Sequence, residues 1–100
     1  SAQSNISVRL KSLQARVLME RKMHAEAEAI LLETVKSIEG TANSKDVSAA
    51  YCYRALAQCY HHQNKPDKAV KSKEKSIAIA TAALGANDPE AMLFKDPLAS

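Results

Sequence analysis

The stretch LAQCYHHQNKPDKA, residues 56–69, decides the fold of this chain. Leu56 and Tyr60 are spaced so that both lie on one face of a helix. Residues 64–66, Asn-Lys-Pro, are typical of a turn. Ala69 then begins the apolar side of a second helix. The stretch therefore predicts two helices joined by a short turn.

The signals that start and stop helices recur at a fixed interval. Ser4, Asp46 and Asp88 each suit the N-cap position of a helix, and successive members lie 42 residues apart. Gly40 and Gly85 each follow a predicted helix, a place where glycine is common. The sequence predicts helices over about 5–21, 25–39, 47–63 and 67–84, with a fifth segment from residue 89.

The composition also favours helices. Only 4% of the residues are aromatic, although 46% are hydrophobic, so the core is poor in large side chains and suits helices packed closely on alanine. The longest apolar-rich run without charge, residues 76–86, is shorter than the 18 or so residues that a membrane span needs. We expect an all-α chain without a membrane span. The apolar stripe of its first helix is predicted to be Leu10, Leu13, Val17 and Leu18.

The quoted stretch resembles the core of a tetratricopeptide repeat, in which Leu-small-x-x-Tyr precedes a turn and a small residue opens the next helix. Ala15, Leu18 and the run AEAEAILL at 25–32 resemble a second copy. The usual repeat has about 34 residues. The longer interval here, with the closing LGANDP at 84–89, is similar to the kinesin-light-chain type. Lys22 and Asn64 stand where the repeat usually has a turn glycine.

The resemblance implies a superhelix of stacked antiparallel helix hairpins that forms one domain over residues 1–100. Its parts would be one repeat at about 4–45, a second at about 46–87, and a truncated third repeat or cap over 88–100. In that third copy Leu98 would take the position of Leu56, and Pro97 would break the helix there.

The resemblance also implies a binding surface, because the first helix of each repeat lines a concave groove. Guanidinium groups bind carboxylates through paired N–H donors, and a glutamine amide can bond a peptide backbone. The expected ligand is therefore an acidic peptide of a partner protein, bound by an adaptor or scaffold. The open alternative is that the arginines pair with Glu20 or with an adjoining repeat, or stay solvated. The predicted peptide-binding residues are Arg9, Ser12, Arg16, Tyr51, Arg54, Gln58 and His61.

Motifs for catalysis, metals or cofactors are missing from the sequence. It has no Gly-rich phosphate loop, HExxH or GxSxG, and adjacent His61 and His62 point about 100° apart on a helix. Cys52 and Cys59 would lie roughly 10 Å apart on one helix, too far for a disulfide. Both are expected to be buried apolar groups, which fits a reducing, cytoplasmic compartment. We expect no enzyme, no metal and no cofactor.

Nucleic acid is a disfavoured partner. The net charge is only +3, and the lysines at 68, 71 and 75 form a stripe without interleaved aromatic residues. Lys68 lies 42 residues after Glu26, and Lys75 lies 42 residues after Glu33. Stacked repeats would therefore set these opposite charges side by side.

A second reading is an assembly module that forms a homodimer through exposed terminal helices or docks on another domain. The contacts expected for it are Val8, Leu10, Met92, Leu93 and Phe94. A third reading is a helical appendage of an enzyme.

Overall fold

Antiparallel helix pairs joined by short turns build the chain. The computed structural model describes residues 2–95, with side chains from Ile6 onward. No strand occurs within these residues, and the all-α prediction is confirmed. The elements are α1 (Ala2–Glu20), α2 (His24–Ile38), a 3-10 helix (Ala42–Lys45), α3 (Val47–His62), α4 (Pro66–Leu84) and α5 (Pro89–Leu93). Leu98 and Pro97, which bear on the third copy, lie outside the described residues.

Two of the three predicted N-caps, Asp46 and Asp88, are confirmed. The Asp46 carboxylate accepts a hydrogen bond from the Ser48 N–H at 3.0 Å, and the Asp88 carboxylate accepts one from the Glu90 N–H at 2.8 Å. These bonds satisfy backbone donors that have no partner within the first turn of a helix. Ser4 as an N-cap is wrong, because α1 begins at Ala2 and Ser4 lies inside it.

The two hairpin turns share one backbone geometry. Lys22 and Asn64 have φ angles of 62° and 60°, in the left-handed region. In each turn the next residue donates a backbone hydrogen bond to the preceding helix. The Met23 N–H donates to the Leu18 carbonyl at 2.9 Å, and the Lys65 N–H donates to the Tyr60 carbonyl at 2.8 Å. This is the bonding of a Schellman motif, which usually takes glycine at the left-handed position.

The main core lies where α1, α2 and α3 meet. Small side chains let the helices approach closely, since Ala15 and Ala27 are fully buried beside Leu31 and Leu56. Phe94, which directly follows α5, is buried in a second cluster with alanines of α3 and α4. The first helices of both pairs, α1 and α3, therefore lie side by side.

The predicted apolar stripe of α1 is mostly wrong. Leu10, Leu13 and Val17 are 58%, 46% and 49% exposed, and only Leu18 packs against the core. The side that faces α2 and α3 carries Val8, Ser12, Ala15 and Met19, of which Ser12 and Ala15 are small. The alanine and serine permit the short interhelical distance that the larger stripe would prevent. The Ser12 hydroxyl donates to the Arg9 carbonyl at 2.7 Å, so its burial leaves no donor unsatisfied.

Candidate functional site

A shallow groove runs between α1 and α3. Cationic and polar side chains line it together with Leu13 and Ala55, and much of its surface is apolar. The structure brings six of the seven predicted binding residues to this groove: Arg9, Ser12, Arg16, Tyr51, Arg54 and Gln58. His61 does not line it.

The groove continues towards the C-terminal ends of α1 and α3. Arg16 and Gln58 line both parts, and Met19, Glu20 and His62 complete the second part. One surface thus extends over about three helical turns, from Arg9 to Glu20. Arg16 lies near its middle, and no carboxylate of the described residues forms an ion pair with it.

Tyr51 is held by three neighbours. The Cζ atom of Arg9 lies 4.0 Å from its ring centroid, and the ring of Phe94 meets it edge-on at 4.9 Å. Its hydroxyl donates a hydrogen bond to the Glu90 carboxylate at 2.7 Å. Burial raises the pKa of Tyr51, and the bond to Glu90 raises it further. The hydroxyl is thus used within the chain, and the Arg9 guanidinium lies over the face of the ring.

Helix α5 shapes one end of the groove, and sequence reasoning missed it. Glu90 bonds Tyr51, and the Cζ atom of Arg54 lies 5.7 Å from the Phe94 ring centroid. The spacing of Glu90 and Phe94 places both on one face of a helix, which is the signal that could have indicated their joint role. This face positions two groove residues at once.

The sequence signature of tetratricopeptide repeats matches residues 7–82. The chain belongs to the tetratricopeptide repeat family. Comparison with curated proteins and with solved structures gives no significant match. Repeats of this family generally mediate protein–protein interactions and are typically not enzymes. The groove of this tetratricopeptide repeat chain is therefore a candidate surface for a protein partner.

The three histidines lie together at the N-terminal end of α2 and the C-terminal end of α3. The rings of His24 and His62 stack with centroids 4.8 Å apart, and those of His61 and His62 meet edge-on at 5.9 Å. The Nδ1 atom of His24 is buried without a hydrogen-bond partner. Within the described residues, no three His, Cys, Asp or Glu side chains are arranged to hold a metal ion.

Two lysines of α4 lie against tyrosines of α3. The ammonium of Lys68 is 5.7 Å from the ring centroid of Tyr60, and that of Lys75 is 5.0 Å from the ring centroid of Tyr53. The predicted pairing of these lysines with Glu26 and Glu33 is not found among the described residues. The reason is that α4 packs on its own hairpin partner α3, so its lysines reach tyrosines rather than α2.

One contact between the repeats involves a glutamate of α2. The Gln63 amide donates to Glu28 at 2.7 Å, and the Lys65 ammonium lies 4.0 Å from the same carboxylate oxygen. Glu28 thereby ties the N-terminal part of α2 to the turn before α4. The Lys65 side chain is exposed and that of Glu28 is partly buried, and an ion pair near the surface stabilises by about 0–1 kcal/mol.

Both cysteines are free and buried, as predicted. Burial raises the pKa of the Cys52 thiol to about 12 and that of Cys59 to about 11, with the Glu28 charge adding to the shift at Cys59. Neither thiol is a nucleophile near neutral pH, since the thiolate is the reactive form.

Among the described residues, no helix combines the length and apolar character that crossing a bilayer would need.

The residues expected to mediate self-association differ in their exposure. Val8 and Phe94 are only 4% and 2% exposed and are used inside the chain, whereas Leu10, Met92 and Leu93 are half exposed or more.

Proposed function

We propose that this tetratricopeptide repeat chain is an adaptor that binds an acidic peptide segment of a partner protein in the groove between α1 and α3. The observation that carries the proposal is the convergence of Arg9, Arg16 and Arg54 with Gln58 on one surface. The chain then contributes recognition, and no bond is made or broken.

The chemistry of the groove favours carboxylates. A guanidinium donates two parallel N–H bonds to one carboxylate, and such charge-assisted bonds are stronger than neutral ones. Arg9 is already oriented by the Tyr51 ring, so less side-chain freedom is lost when a ligand binds it. Gln58, which lines both parts of the groove, can bond the peptide backbone.

The apolar residues of the groove determine which ligand residues fit between the acidic residues of the bound peptide. Leu13 and Ala55 offer apolar contacts, and the groove is shallow. Small or medium apolar side chains fit such a surface better than a large aromatic ring. The favoured ligand therefore alternates acidic and small apolar residues.

We also propose the repeat boundaries 4–45 and 46–87, with a further copy or cap from residue 88, in 42-residue units of the kinesin-light-chain type. The shared turns at Lys22 and Asn64 and the caps at Asp46 and Asp88 support this interval. The free buried cysteines support a reducing, cytoplasmic setting.

The test is a titration of the chain with a fluorescent peptide of about ten residues that alternates glutamate with valine and alanine. Arg16→Glu and Arg54→Glu should each weaken binding at least about tenfold, because one favourable charged contact becomes a repulsion. Lys71→Glu, the same charge change at an exposed site on α4, is the matched control and should leave the affinity unchanged.

Circular dichroism should show the same helix content in all three variants. Unaltered affinity in both arginine variants would remove the groove assignment. Equal binding of a peptide with glutamine in place of glutamate would show that the arginines do not select acidic ligands.

A further inference from the structure

The two ends of the groove between α1 and α3 differ in charge. Arg9 and Arg54 line one end. Glu20 lines the other end, together with Met19 and His62. Among the described residues that line the groove, Glu20 carries the one carboxylate. The groove is therefore basic at the end near α5 and acidic at the end near the turn between α1 and α2.

The backbone adds to this difference, because α1 and α3 run in the same direction. Arg9 lies against Tyr51 in the first half of α3, whereas Glu20 and His62 lie together where the two helices end. A helix carries partial negative charge over its last turn. Two such helix ends meet beside Glu20, and they favour a cation there.

The Glu20 carboxylate is open to a ligand. Its side chain is exposed, and no ion pair or hydrogen bond joins it to another of the described residues. Arg16 lies one turn earlier on α1, and the two side chains form no ion pair. Arg21 and Lys22 follow in the turn and do not line the groove. A cationic side chain of a ligand can therefore approach Glu20 directly.

The other side chains at this end are held in place. The His62 ring stacks on the His24 ring with centroids 4.8 Å apart and planes inclined by 11°, which joins α3 to α2. Met19 is only 9% exposed. This end of the groove is thus formed before a ligand arrives, and little ordering of the chain opposes binding.

The length of the groove sets the spacing of charges in a ligand. Arg9 and Glu20 are eleven residues apart on one helix, about 16 Å along its axis. An extended peptide covers this distance with about five residues, at roughly 3.3 Å each. Arg16 lies about 10 Å from Arg9 along the axis, or about three peptide residues.

We propose that the groove selects a peptide of mixed charge, with acidic residues against Arg9 and Arg16 and a lysine or arginine against Glu20. The basic residue follows or precedes the first acidic residue by about five positions. This inference rests on the proposed function and specifies its ligand further. Glu20 sets the specificity at its end of the groove, because it attracts a cationic side chain and repels a third acidic one.

The probes are two fluorescent eight-residue peptides with blocked termini. The first, AEVAEAKA, has two glutamates three positions apart and a lysine five positions after the first of them. Its twin, AEVAEAEA, has glutamate in place of the lysine. Fluorescence anisotropy should show the lysine probe binding at least about fivefold tighter, with the difference shrinking at high salt.

The net charge of the chain makes this comparison a stringent one. A net charge of +3 attracts the more acidic twin more strongly at long range. A preference for the lysine probe must therefore come from a local contact.

Glu20→Lys should reverse the preference, and Glu20→Gln should bring the two affinities close together. The matched control is Glu33→Lys, the same charge change at an exposed glutamate of α2 that does not line the groove. It should keep the native preference. Circular dichroism should show the same helix content in all three variants. An unchanged preference in Glu20→Lys would overturn the role of Glu20.

The two proposals fail separately. Arg54→Glu acts at the opposite end and should weaken binding of both probes. If it does so while the native chain binds the two probes equally, the groove assignment is retained and the charge preference is wrong. If neither probe binds, or neither responds to Arg54→Glu, the groove assignment is wrong and the preference fails with it.

Discussion

At Lys22 and Asn64 the backbone takes a left-handed conformation that costs an ordinary L-residue about 1–2 kcal/mol. Asparagine tolerates this region better than lysine, because its short polar side chain can bond locally. The same strain is therefore smaller at the second turn than at the first. Both turns persist because the Schellman bonds and the packing of the flanking helices over-determine them.

Lys22→Gly should raise the free energy of unfolding by about 0.5–1 kcal/mol, since glycine removes the strain but adds backbone freedom to the unfolded chain. Asn64→Gly, the equivalent change in the other hairpin, should alter it by less. Urea unfolding followed by circular dichroism measures both. A loss of stability in Lys22→Gly would contradict the account of the turn.

At the scale of the element, α5 is held in place by one of its own side chains, Glu90, and by the residue that caps its C-terminus, Phe94. Glu90 accepts the hydrogen bond of Tyr51, and Phe94 packs against the Tyr51 ring and into the cluster with Ala50 and Ala80. The helix has only one and a half turns, too short to be stable alone. Its position, and with it one end of the groove, depends on these contacts with α3 and α4.

Tyr51→Phe should therefore cost about 0.5–1.5 kcal/mol of stability and speed amide hydrogen exchange in α5, because the Glu90 carboxylate loses its donor. Tyr53→Phe is the control. Its hydroxyl bonds no group among the described residues, so both readouts should stay near native. Slow exchange in α5 after Tyr51→Phe would show that Phe94 alone anchors the helix.

At the scale of the whole molecule, the core relies on small groups that must stay neutral. Cys52 and Cys59 are fully buried where α1, α2 and α3 meet, and the Cys52 thiol contacts the Val8 carbonyl at 3.7 Å. Their pKa values are raised to about 12 and about 11 from 9.0. An acid whose folded pKa is raised binds its proton more tightly in the folded chain, so its stabilising contribution is complete below pH 9 and falls as pH rises towards the folded pKa.

Stability should consequently decline between about pH 9 and 11, where the unfolded chain releases thiol protons that the folded chain retains. The double variant Cys52→Ala with Cys59→Ala should show a shallower decline, whatever its stability at pH 7. Urea unfolding at pH 8 and pH 10 measures the two slopes. Equal slopes would assign the decline to lysines and tyrosines.

The sequence by itself determined the helices, the N-caps at Asp46 and Asp88, the turns and the repeat family. These follow from preferences that act within a few residues, such as a carboxylate that bonds the N–H two positions on or a glycine at a left-handed φ. It also predicted most of the groove, because the resemblance to a repeat places the first helices side by side.

Only the tertiary structure decided which face of α1 is buried. Two stripes at helical spacing run along α1, and periodicity favoured the larger one, whereas the close approach of α2 and α3 selects the smaller residues around Ala15. The partner of Tyr51 was equally beyond local reasoning, since the bond to Glu90 joins residues 39 apart. Contacts between distant residues depend on how whole helices pack, and no short window of sequence contains that information.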